Sequence, residues 1–145
     1  MTNERPVLNQ ISLVVKDMDA MVTFYRSLGL EIPDTDPAWQ AQHRTAAMPE
    51  GLDLDFDSDE FAQQWNHGWR SRGKGTMGVL GFHVSSREAV DELYEGLTNA
   101  GYHGQQVPSD AFWGARYAIV EDPDGNAVGL MSPIDPARCT TPTPP

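Results

Sequence analysis

Residues Asp17 to Leu30 read Asp-Met-Asp-Ala-Met-Val-Thr-Phe-Tyr-Arg-Ser-Leu-Gly-Leu. Met18, Met21, Val22, Tyr25 and Leu28 recur at the spacing of a helix that buries one face. Asp17 offers an N-cap oxygen, and Gly29 offers a left-handed stop. Upstream, Ile11, Leu13 and Val15 alternate with Gln10, Ser12 and Val14, the period of a strand. Downstream, Leu30 to Ile32 is expected to resume as a strand, ended by Pro33.

The same pattern returns later in the chain. Leu80, Phe82 and Val84 alternate with Val79, Gly81 and His83, and Ser85 and Glu88 stand at capping-box spacing. Val90, Leu93, Tyr94 and Leu97 form an apolar face, and Gly101 is the stop. Sliding the first half onto the second lays Ile11, Leu13 and Val15 on Leu80, Phe82 and Val84, so the chain contains an internal repeat. Each half closes alike. Leu52, Leu54 and Phe56 alternate with Asp53, Asp55 and Asp57. Arg116 to Val120 and Ala127 to Met131 flank Asp122-Pro123-Asp124-Gly125, a turn in which Pro presets φ and Gly takes the left-handed conformation.

These elements predict an α+β fold of two βαβββ modules in one domain, residues 1–132. The modules span about 7–58 and 77–132. A helix capped by Ser58, carrying Phe61, Trp65 and Trp69, and a basic glycine-rich linker join them over 59–76. Residues 133–145, ending Thr-Pro-Thr-Pro-Pro, are expected to be a flexible tail. Ile11, Leu13, Val15, Tyr25, Leu28, Leu54, Phe82, Val84, Leu93, Leu97, Ile119 and Leu130 are expected to be buried.

Composition narrows the function. Ten Lys and Arg against 21 Asp and Glu give a net charge of -11, which disfavours a nucleic-acid partner. No apolar run reaches the length of a membrane span, and the N-terminus shows no signal-peptide core, so a soluble cytoplasmic protein is expected. Cys139 is the sole cysteine, which excludes an internal disulfide. No Gly-x-Ser-x-Gly elbow is present. Gly73-Lys74-Gly75-Thr76 lacks the upstream glycine and following helix of a phosphate loop.

The helix Asp17 to Leu30, the turn Asp122 to Asn126 and the two βαβββ units together resemble the vicinal oxygen chelate superfamily. That group holds the glyoxalases, extradiol dioxygenases and bleomycin-resistance proteins. The resemblance spans about residues 7 to 132, and Phe112-Trp113-Gly114 with Arg116 is similar to the bleomycin-resistance branch. It implies curved sheets around a cup with helices on the convex faces, often completed by a second subunit. In the metal enzymes four strand residues hold a divalent ion. The matching positions here are Gln10, Asp53, Val79 and Gly129. Val79 and Gly129 stand where His and Glu are expected and carry no ligand atom, so neither a metal nor a cofactor is expected. His83 lies on the same strand as Val79, four residues on. The loss of His and Glu is expected to widen and dry the cavity.

Three functions compete. The first is a non-catalytic homodimer that sequesters a bulky aromatic natural product or antibiotic. The second is a metal-dependent lyase, isomerase or dioxygenase, and the third a metal-independent enzyme using His43 or His83 as acid or base. The first fits the missing ligands and the four Trp residues. Its expected ligand-binding residues are Gln10, Trp39, His43, Asp53, Asp55, Val79, His83, Tyr102, Phe112, Trp113 and Gly129. Trp39 and Trp113 are expected on strands beside one groove, and the acids are expected to favour a planar cationic or polar aromatic guest. Each assignment has a plainer counterpart: a hydrogen-bonded structural histidine, a core tryptophan, or the solvated face of a strand.

Overall fold

The computed structural model describes residues 8, 10–67, 69–70, 73 and 78–142. Its elements run β1 (Gln10–Val15), α1 (Met18–Leu28), β2 (His43–Ala47), β3 (Asp53–Ser58), α2 (Asp59–Trp65), β4 (Val79–His83), α3 (Arg87–Asn99), β5 (Gly104–Asp110), β6 (Arg116–Glu121) and β7 (Ala127–Met131). They form two compact units, Met1–Arg72 and Gly73–Pro145. Each unit holds one mixed sheet, and the fold is α+β.

In the first unit the strand order is β1-β3-β2, with β1 parallel and β2 antiparallel to β3. Alternation sends Leu13, Val15, Leu54 and Phe56 to one face, where they are buried with Met18, Met21, Val22, Phe24, Tyr25 and Leu28 of α1. The Tyr25 and Phe56 rings meet at 5.1 Å. Asp17 caps α1 by accepting from the Ala20 N–H at 3.1 Å, and Gly29 ends it at φ 115°. Both ends are as the sequence predicts.

The strand expected at Leu30 to Ile32 does not form. Pro33 has no N–H to give a ladder. The Ile32 carbonyl accepts from Arg26, and the Pro33 carbonyl accepts from buried Arg44 at 2.9 Å. Both guanidinium groups also reach Asp34. Two arginines thus take the carbonyls a neighbouring strand would need, and the next strand is β2.

In the second unit the order is β4-β7-β6-β5. Ala118, Val120, Val128 and Leu130 are buried, as are Val90 and Leu97 of α3. The N-cap of α3 is Ser86, accepting from the Ala89 N–H at 3.0 Å, one residue beyond the expected Ser85. Gly101 follows the helix at φ 101°. The predicted turn forms: buried Asp122 accepts from the backbone of Asp124 and Asn126 and from the Asn126 side chain at 2.6 Å. Ile119 is a correction, because β6 buries Ala118 and Val120 and so turns Ile119 to the other face. Ile11, Phe82, Val84 and Leu93 are half-buried rather than buried.

The stretch expected to be a flexible tail has local structure. A 3-10 turn spans Pro136–Arg138, Cys139 bridges to Trp113, and the Thr140 N–H donates to the Phe112 carbonyl at 2.7 Å. Of the expected glycine-rich linker, residues 71, 72 and 74–76 lie outside the described residues. No helix among the described residues is long and apolar enough to cross a membrane.

Candidate functional site

The face of the first sheet that does not join the core is polar. Register places Gln10 beside Asp53, Ser12 beside Asp55, and Val14 beside Asp57. Across β3, it sets His43 against Asp57, Thr45 against Asp55 and Ala47 against Asp53. Gln10 donates to Asp55 Oδ2 at 2.7 Å and Thr45 donates to Asp55 Oδ1 at 2.7 Å. His43 Nδ1 lies 2.5 Å from Asp57 Oδ1. The two carboxylates are buried, Asp57 at 3% exposure, and these bonds compensate their loss of water. Among the described residues no buried side-chain nitrogen or oxygen lacks a partner.

Aromatic rings border this network. Phe61, in the first turn of α2, meets the His43 ring edge-on at 5.5 Å and Trp39 at 5.3 Å. Trp39 lies in the turn before β2 rather than on a strand, and remains 46% exposed. Ser58 positions Phe61 by accepting its N–H as the α2 cap. Trp65 is exposed and is not core; the Trp69 indole donates to Asp59.

The corresponding face of the second sheet is mostly apolar on β4, β6 and β7, with His83 and Glu121 as polar exceptions. Register aligns Val79 with Ala127, Gly81 with Gly129, and His83 with Met131. It aligns Tyr117 with Met131, and Ile119 with Gly129. Trp113 lies in the turn before β6, not on a named strand. Its ring packs on Tyr117 at 5.2 Å and on Phe112 at 5.0 Å, and its Nε1–H donates to Met131 Sδ at 3.2 Å. A Cβ added to Gly129 would lie 2.8 Å from the Tyr117 hydroxyl and 3.1 Å from Val79 Cγ1. The Tyr117 phenol therefore fills space that a side chain at 129 would take, and the expected widening there is not found.

The sequence-predicted residues divide between the units. Gln10, Trp39, His43, Asp53 and Asp55 are in the first; Val79, His83, Tyr102, Phe112, Trp113 and Gly129 are in the second. In the first, Gln10 and Asp55 bond directly, Thr45 bonds Asp55 as well, and the Thr45 Oγ1 lies 3.4 Å from His43 Nε2. Asp55, not Asp53, is the acid that Gln10 engages. In the second, Phe112 meets Trp113 edge to face, Val79 and Gly129 share a face with Tyr117, and His83 is exposed at the end of β4. Tyr102 follows Gly101, its N–H donating to Leu97. Thr45, Phe61, Tyr117 and Met131 complete the two faces with Asp57, the third acid of the β3 run. The alternation His43-Arg44-Thr45 held a signal for β2, masked because the inward residue is a charged Arg44.

The metal that the resemblance implies for the enzymes of that group needs converging donors. Val79 and Gly129 offer none, Tyr117 stands over Gly129, and Asp55 is already engaged by Gln10 and Thr45. Among the described residues no three His, Cys, Asp or Glu side chains group as ligands. The residues do not fit such an ion.

Comparison with known proteins agrees with the fold. A glyoxalase-related enzyme from Fulvimarina pelagi superposes with a TM-score of 0.74 at 20% identity, covering 88% of each chain. A glyoxalase/bleomycin resistance protein/dioxygenase from Nocardioides gives 0.67 at 22%, covering 92% of this chain and 87% of that one. The lactoylglutathione lyase of Agrobacterium tumefaciens gives 0.64 at 20%, covering 88% and 94%. At these identities the likeness is one of fold. A search among curated proteins finds no significant match. The model of the glyoxalase/bleomycin resistance protein/dioxygenase superfamily matches residues 7–130. Covering nearly the whole chain, that match makes the protein a member of this superfamily.

Proposed function

We propose that the protein binds and sequesters a bulky aromatic natural product or antibiotic, in the manner of the drug-resistance branch that its sequence resembles, and performs no metal-dependent reaction. One observation carries this reading: two of the four positions that would hold a metal have no donor atom, and an aromatic side chain stands over one of them. Exposed Trp39 beside Phe61, and exposed Phe112 beside Trp113, offer flat apolar surface of the kind that aromatic guests stack on. A cationic guest is less favoured than the acid count implies, because Asp55 and Asp57 already have partners.

A homodimer belongs to the same proposal, since each sheet ends in short edge strands that a second copy can extend or cover. Sedimentation at micromolar protein should give twice the 16.0 kDa chain mass; a monomer throughout contradicts it. The ligand reading is tested by tryptophan quenching with a panel of aromatic antibiotics, run beside metal analysis of protein purified without chelator. Saturable quenching without a stoichiometric metal is expected. A stoichiometric divalent ion with chelator-sensitive turnover sinks the proposal.

A further inference from the structure

The polar network orients the His43 ring through Asp57. Asp57, when ionised, only accepts, so the 2.5 Å contact places the imidazole proton on Nδ1. Nε2 of the neutral ring is then a lone pair. Its neighbour is Thr45 Oγ1 at 3.4 Å, and the Thr45 proton is given to Asp55 Oδ1 at 2.7 Å. Gln10 holds the other oxygen of Asp55, so that carboxylate has no reason to release Thr45. With its proton on Asp55, Thr45 has none to give to Nε2. The His43 side chain is 38% exposed, while Asp57 behind it is buried. A base is thus oriented by a buried acid on a side chain that stays partly exposed.

We propose that His43 accepts the hydroxyl proton of a phenolic ligand whose ring lies against Phe61 and Trp39. The inference rests on the aromatic-binder reading and names the ligand class. The phenol O–H breaks, its electron pair stays on oxygen, and a new Nε2–H bond forms. The resulting imidazolium keeps Nδ1–H on the Asp57 carboxylate, and the phenolate accepts from Nε2–H. No further reactant is needed. The groups facing the ring are Asp57 and Asp55 from β3, Thr45 from its own strand, and Phe61 from α2; Gln10 reaches the network from β1. A carboxylate guest would bring no proton to give. A neutral phenol brings both the ring and the proton.

The probe is 4-nitrophenol, titrated into the full chain across neutral pH with free nitrophenol at each pH as the reference, so that the band read is the excess over the reference. Tryptophan quenching reports binding, and the visible nitrophenolate band reports proton transfer. Native protein should give both; Trp39→Phe should lose part of the quenching, and His43→Gln should keep quenching and lose the band. Nitrogen NMR of native protein should show Nε2 of His43 passing from unprotonated to protonated as nitrophenol is added, which needs no variant to fold. Quenching without the band, a band that survives His43→Gln, or an unchanged Nε2 signal overturns the proton-acceptor assignment and leaves the binder reading standing. Absence of quenching with nitrophenol overturns this inference, and absence with the whole antibiotic panel overturns the binder reading too.

Discussion

The two sheets are built to one plan and then part company on a single face. Register makes Asp55 the counterpart of Gly129, Asp57 of Met131, His43 of Tyr117, and Thr45 of Ile119. Gln10 likewise matches Val79, each beginning the first strand of its unit. In the first unit these positions form a hydrogen-bonded chain of acids, amide, hydroxyl and imidazole. In the second they form an apolar surface of Val79, Tyr117, Ile119 and Met131. The faces toward the helices are alike in kind: Leu54 and Phe56 in one, Val128 and Leu130 in the other, all buried. Packing constrains the helix-side face of a repeat, while its opposite face can take on different chemistry.

The largest effect should come from the shared face. Phe56→Ala removes a fully buried ring under α1 and should cost about 3–5 kcal/mol. Leu130→Ala removes its fully buried aliphatic counterpart in the second unit and should cost about 2–5 kcal/mol. Urea unfolding of each variant provides the comparison. If one substitution is nearly silent, the two helix-side faces are not equivalent, and the repeat describes sequence more than packing.

A smaller effect should come from forcing the divergent face back toward acid. Gly129→Glu restores a carboxylate on β7, but its Cβ starts within 2.8 Å of the Tyr117 hydroxyl. Overpacking of this kind should cost about 1–3 kcal/mol. Adding Tyr117→Ala should relieve much of that cost, so the double variant should be more stable than the two separate losses imply. Additive losses in the double-mutant cycle would show that Tyr117 is not what excludes a side chain at 129.

Periodicity made the helix-side faces legible, because burial under a helix leaves an alternating apolar record in β1, β3, β4 and β7. The cap at Asp17, the stop at Gly29 and the Asp122 turn were legible for a different reason: each is satisfied within a few residues. What the sequence hid depends on partners far along the chain. Leu30 to Ile32 has the composition of a strand, yet Arg44, more than ten residues away, takes the Pro33 carbonyl and holds that segment in a loop. Asp53 and Asp55 look alike in sequence, and only the β1–β3 register and the Gln10 side chain separate them. Tyr117 over Gly129 joins two strands whose pairing no local pattern specifies.

The loop that replaces a strand in the first unit supplies the smallest effect and has no counterpart in the second, where β5 pairs with β6. Asp34 accepts from Arg26 at 3.2 Å and lies 3.4 Å from the Gln40 amide. The Arg26 hydrogen bond, with help from Gln40 and from the charges of Arg26 and Arg44, holds its carboxyl below the ordinary carboxylate value. A carboxyl with a lowered value in the folded chain contributes stability above the unfolded value, and that contribution is lost as pH falls through the folded value. The side chain is largely exposed, so water and salt screen the effect, and the contribution is small. Asp34→Asn should therefore lower the urea midpoint slightly at neutral pH and leave it unchanged at a pH low enough to protonate Asp34 in both states. The difference should shrink in high salt. An Asp34→Asn gap that persists unchanged into strong acid would place the role of Asp34 in loop packing, and the arginine clasp would then rest on the Ile32 and Pro33 carbonyls alone.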